Sequence, residues 1–100
     1  MFEIERMARD IVFVNGEYYI VDTCKPWDTK KWETGLRKVD HKKMFEDWLN
    51  EGETPPTPAE IMEYADDYDP YGWWDIEVHP NKRTARKRHK EICQTAVLNP

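Results

Sequence analysis

Three groups of side chains in this 100-residue chain have the types and spacing to do chemistry. The first is acidic. Residues 46–77 carry eleven Asp and Glu and no Lys or Arg, interleaved with Trp48, Tyr64, Tyr68, Tyr71, Trp73 and Trp74. DNA presents one negative charge per about 1.7 Å of its axis, and its protein ligands are basic grooves. A rigid surface of carboxylates could enter such a groove, with carboxylates in place of phosphates and aromatic rings as desolvated anchors. The blander alternative is a solvated acidic surface with its aromatic rings in the core. Eleven acids without one base is more than solubility requires, which keeps the mimic reading in play. Its preferred contacts are Glu60, Glu63, Asp66, Asp67 and Asp69, with Tyr68, Tyr71 and Trp73 as anchors.

The second group is basic. Lys82, Arg83, Arg86, Lys87 and Arg88 crowd the start of a C-terminal helical pattern. The helix macrodipole is positive there, and each such charge costs about 0.3–1 kcal/mol before screening. One reading is an anion-facing surface for phosphate or an acidic protein. The other is internal: the acidic 46–77 block lies against this helix, or the cations form a solvated face.

The third group is His89 and Cys93, at i, i+4 on one helical face, with Cys24 and His79 elsewhere to complete four zinc ligands. No C-x-x-C pair supports that reading, and both residues also lie on an apolar stripe where a buried Cys is ordinary. A Cys24–Cys93 disulfide is the other possibility. No cofactor is expected. A phosphate-binding glycine loop, G-x-S-x-G and H-E-x-x-H are all missing. Asp66-Asp67 lacks the glycine and terminal Glu of an EF-hand loop. The expectation is a protein that is not an enzyme.

Composition sets the bounds. Leu, Ile, Val and Phe supply 18 of 100 residues, close to the level at which disorder becomes a serious reading, but 13% aromatic residues compensate. One domain is expected, spanning residues 1–100. A mean hydropathy of −0.94 and the lack of a long apolar run argue against a membrane span. Nothing at the start reads as a secretory signal, so a cytoplasmic location with reduced thiols is expected. The net charge of −5 hides segregation: near neutral over residues 1–45, then strongly acidic, then basic from residue 78 onward.

The elements that must position these groups can be read in outline. Ile11–Val14 and Glu17–Val21 flank Asn15-Gly16, a two-residue type I′ hairpin whose turn positions both need φ > 0. Trp32 to Lys38 supplies a third strand, weakened by Gly35. Asp40 caps a helix to about Asn50, with Gly52 past its end. Thr57-Pro58-Ala59-Glu60 opens a second helix as a capping box, with Ile61, Met62, Ala65 and Tyr68 as its apolar stripe. Trp73 to Val78 reads as a further strand. A final helix runs from Pro80-Asn81 to about Val97, with Ala85, His89, Ile92, Cys93, Ala96 and Val97 on one face.

The run Tyr18-Tyr19-Ile20-Val21-Asp22-Thr23-Cys24, with Pro26 after it, is similar to a family of small phage and prophage proteins. So are Trp32-Glu33-Thr34, with Leu36 and Asp40, and Thr84-Ala85…His89…Ile92. The resemblance covers roughly residues 11–40 and 82–95 and leaves 41–79 as an acidic, aromatic-rich insertion. It implies a mobile-element context and supplies no site residue. Small acidic phage proteins include anti-CRISPR and anti-restriction inhibitors of host defence nucleases.

The expected fold is α+β: a small antiparallel sheet of three or four strands, about three helices and a long C-terminal helix. The expected function is a phage-type inhibitor that presents an acidic, DNA-mimicking surface to a host or defence protein with a basic nucleic-acid-binding groove. The alternatives are a nucleic-acid-binding accessory using Lys82, Arg83, Arg86, Lys87 and Arg88, or a phage structural or assembly protein.

Overall fold

A computed structural model describes residues 4–68 and 74–98. Its elements in order are β1 (Ile4–Val14), β2 (Glu17–Pro26), β3 (Trp32–Val39), α1 (His41–Asn50), α2 (Pro58–Tyr68), β4 (Asp75–His79) and α3 (Lys82–Thr95). The four strands form one antiparallel sheet in the order β1-β2-β3-β4. This is the α+β fold expected from the sequence, and α3 is its longest helix.

The β1–β2 turn is the one its residues demand: Asn15 at φ 52° and Gly16 at φ 79° join Val14 to its partner Glu17. Strand β1 starts at Ile4, well before the apolar run at Ile11. A register shift between Arg6 and Ala8 breaks the alternation that would have revealed those residues as strand. Strand β4 covers Asp75–His79 where Trp73–Val78 was expected. Helix α3 stops at Thr95, two residues short, because Ala96 turns left-handed at φ 53° and donates its N–H to the Ile92 carbonyl at 2.7 Å.

Ile20 and Val21 are adjacent on β2 and fully buried, so they point to opposite faces of the sheet. Ile20 packs with Val39 of β3 and with Met44, Ile61 and Ala65, the buried stripes of α1 and α2. Val21 packs with Leu36 of β3 and with Ile92 on the buried side of α3. The sheet is therefore a middle layer, with α1 and α2 on one face and α3 on the other. The α1–α2 segment enters between β3 and β4, which remain paired from Trp32↔His79 to Leu36↔Asp75.

The helix starts follow the sequence chemistry. The Asp40 carboxylate accepts from the Lys43 N–H at 3.4 Å, and the Asn81 side-chain oxygen accepts from the Thr84 N–H at 2.9 Å. At α2 the capping box is complete. Glu60 accepts from the Thr57 N–H and hydroxyl, both at 3.0 Å, and the Thr57 oxygen accepts from the Glu60 N–H at 3.3 Å. Thr57→Ala should cost about 1 kcal/mol, seen as a lower midpoint in urea denaturation.

Candidate functional site: an acidic aromatic groove

Helices α1 and α2 enclose a groove of about 610 Å³. Its wall from α1 is Lys43, Asp47, Trp48 and Glu51, at offsets 0, 4, 5 and 8, which lie on one helical face. Its wall from α2 is Glu60, Tyr64, Asp67 and Tyr68, at offsets 0, 4, 7 and 8, and Glu53 in the connection completes it. Trp48 and Tyr64 meet edge to face, with ring centroids 5.7 Å apart, a favoured aromatic geometry. Five carboxylates and one ammonium thus surround an aromatic centre. The Tyr68 hydroxyl is held above its ordinary pKa, first by desolvation and then by the Asp47 and Glu51 carboxylates. It stays protonated and donates to the Asp47 carboxylate.

The sequence-derived contacts divide. Glu60, Asp67 and Tyr68 come together in the groove, although the Glu60 carboxylate is also the reciprocal cap of α2. Glu63 is exposed but does not line the groove. Asp66 has an internal partner: it accepts from Arg37 at 2.6 Å, and Arg37 is buried. The Arg37 guanidinium also sits 5.6 Å from the Trp74 ring centre, so Asp66 balances a buried cation. Asp69, Tyr71 and Trp73 lie outside the described residues. Asp47 and Glu51 were not singled out in the sequence, though their i, i+4 spacing beside Trp48 was the signal that could have found them.

The basic group divides as well. Lys82 pairs with Glu5 at 3.8 Å and lies 5.5 Å from the Trp32 ring centre. Arg88 donates to Glu77 at 2.8 Å and to Glu91 at 3.2 Å. The bond to Glu77 is the largest cause of its raised pKa. Arg83, Arg86 and Lys87 are exposed, as is Lys90, and they have no ion-pair partner among the described residues. Their offsets 0, 3, 4 and 7 form a single outward stripe on α3. The groove and this stripe belong to opposite faces of the sheet, so of the internal alternatives the exposed cations fit a solvated face and not an acidic block lying along the basic helix. Among the described residues of the acidic block, Glu77, which β4 places on the α3 side, is the one that pairs with Arg88.

Under α3 lies a polar chain. Thr34 and Thr23, paired in register across β3 and β2, have hydroxyl oxygens 2.9 Å apart. Thr23 Oγ1 is 2.6 Å from His89 Nδ1, and His89 Nε2 is 2.6 Å from an Asp10 carboxylate oxygen. With Asp10 ionised, the consistent assignment runs Thr34 to Thr23 to His89 to Asp10, each donating to the next. The order of groups matches a nucleophile, base and orienting acid. Its burial is the reverse of what a nucleophile needs: Thr23 is fully buried, whereas Asp10 is exposed.

The cysteines are free and lie on opposite faces: Cys93 packs with the Val21 cluster, while Cys24 shares the Ile20 side of β2 with Asp22. A disulfide and the four-ligand set of Cys24, His79, His89 and Cys93 are both ruled out by that separation. Burial, followed by the Asp10 charge, pushes the Cys93 thiol up to about 11 from 9.0. Only thiolate reacts, so metal-free Cys93 should alkylate at pH 8 about a hundredfold more slowly than an ordinary thiol. Iodoacetamide labelling followed by mass spectrometry measures this.

Comparison with protein families, curated proteins and solved structures finds no match for this chain. Among the described residues, no helix is long and apolar enough to cross a membrane.

Proposed function

We propose that this chain is a non-enzymatic binding protein of phage type. It occupies the basic nucleic-acid-binding groove of a host or defence protein, such as a CRISPR effector or restriction nuclease, in the bacterial cytoplasm. The observation that carries the reading is the α1–α2 groove, where Asp47, Glu51, Glu53, Glu60 and Asp67 surround Trp48, Tyr64 and Tyr68. Arranged carboxylates supply the long-range field that steers a basic partner, and the rings supply area that excludes water at its centre. The sheet strengthens the reading by keeping the free cations of α3 on the other side, where they do not neutralise the groove.

The test is capture by the immobilised protein from a bacterial lysate containing CRISPR and restriction complexes. The expected result is retention of a basic nuclease or effector complex that competing duplex DNA releases. Retention unaffected by DNA, or no basic protein retained, rejects the proposal.

The outward stripe Arg83, Arg86, Lys87 and Lys90 favours a second reading, a nucleic-acid-binding accessory. It predicts duplex binding that falls steeply as salt rises. Absence of a gel shift at low ionic strength removes it.

A further inference from the structure

We propose that Asp10, His89 and Cys93 form a binding site for a divalent cation of the zinc class, tying the N-terminal edge strand to the C-terminal helix. Their three donor atoms all lie within 4.8 Å of one another. They comprise one carboxylate oxygen, one imidazole nitrogen and one sulfur, the ligand types that borderline-soft Zn²⁺ accepts. Helix α3 stacks His89 and Cys93 one turn apart on its buried side, and β1 brings Asp10 against them from the sheet.

The donor atoms need changes of about 1.5 Å or less in their mutual separations. Tetrahedral zinc, with bonds of about 2.0–2.3 Å, holds its ligand atoms about 3.3–3.6 Å apart. The His89–Asp10 separation of 2.6 Å must therefore open by less than about 1 Å. The Asp10 side chain, 54% exposed, is free to make that movement and leaves the cation a path from solvent. The fourth position falls to water, as in three-ligand zinc sites.

The buried end of the site is already prepared. A metal-ligating histidine characteristically donates its other ring N–H to an oxygen that fixes its orientation. Thr23 Oγ1, 2.6 Å from Nδ1, is placed to accept it, and Thr23 in turn can donate to Thr34 at 2.9 Å. Moving from the metal-free to the metal-bound arrangement reverses the direction of this chain of hydrogen bonds. It takes a change of His89 tautomer, the ring proton leaving Nε2 and Nδ1 gaining one by exchange with solvent, together with rotation of two hydroxyl groups, and no displacement of the backbone. The Cys93 thiol loses its proton to solvent on binding, as metal-bound cysteine must.

Co²⁺ titration of chelator-treated protein tests the site, because thiolate ligation gives Co²⁺ a charge-transfer absorption. The expected result is a band that saturates at one equivalent, is bleached by Zn²⁺, persists in C24S and is lost in C93S. D10N, altered at an exposed position, should weaken affinity by about tenfold or more. Zn²⁺ should raise the Tm of the wild-type protein and leave that of C93S unchanged. No charge-transfer band in the wild type, or a band that survives C93S, overturns the proposal. The wild-type titration decides the matter even if a variant fails to fold.

Discussion

Replacing Asp47, Glu51 and Asp67 together with lysine should abolish binding to a basic nucleic-acid-binding partner while leaving the sheet folded. The three changes take the groove from a formal charge of −4 to +2. Attraction becomes repulsion at the centre of the proposed contact. Like charges brought together across an interface cost several kcal/mol, so the loss should exceed about a hundredfold in Kd. These positions are chosen because no side chain among them caps a helix or neutralises a buried cation: Asp67 and Glu51 are exposed, and Asp47 is a half-buried acceptor for Tyr68 on the groove wall. Glu60→Lys removes a cap, and Asp66→Lys places a cation against buried Arg37. Either would mix unfolding with loss of binding. Calorimetric titration against the captured partner, with a urea midpoint for each variant, separates the two. Binding that survives the triple reversal rejects the mimic reading.

Which residues could be read from the chain, and which could not, follows from where each signal is stored. Asn15-Gly16, the Asp40 cap and the Thr57–Glu60 box act within four residues, so the local sequence contains them whole. The Ile4–Asp10 part of β1 was hidden because a bulge breaks its alternation and its residues are mostly polar. The layering was hidden for a different reason: two adjacent apolar residues, Ile20 and Val21, face different helices, and no local pattern says which helix takes which face. That same fact decides the electrostatics, since it places the acidic and basic blocks apart. Charge segregation along the chain was visible, but segregation across the sheet is tertiary. The residues beneath α3 show the same limit. Val21, Thr23, Thr34, Leu36, Ala85, His89 and Ile92 are far apart in sequence, yet all are buried on the α3 side of the sheet.

His89→Ala should be the most destabilising single substitution in the polar chain under α3, at about 2–4 kcal/mol in metal-free protein. Two effects add. The imidazole is buried between α3 and the sheet, so truncation leaves a cavity that β2, β3 and α3 cannot close without moving together. It also removes the acceptor of the Thr23 hydroxyl, although Thr34 remains 2.9 Å away to share that role. Asp10→Asn at the other end of the chain should cost less than about 1 kcal/mol, because the carboxylate faces water and the amide still accepts from His89. Thr23→Val tests the middle: it deprives the His89 ring nitrogen of its buried partner and should cost about 1–3 kcal/mol. If the three groups act as one network, the cost of the Thr23→Val and His89→Ala double change falls short of the sum by about 0.5–3 kcal/mol. Urea denaturation in the presence of a chelator measures every term in this cycle. Strict additivity would mean that His89 contributes as a packed ring alone. A His89→Ala cost below about 1 kcal/mol would mean that α3 is held by Ile92 and its apolar neighbours without help from the polar chain.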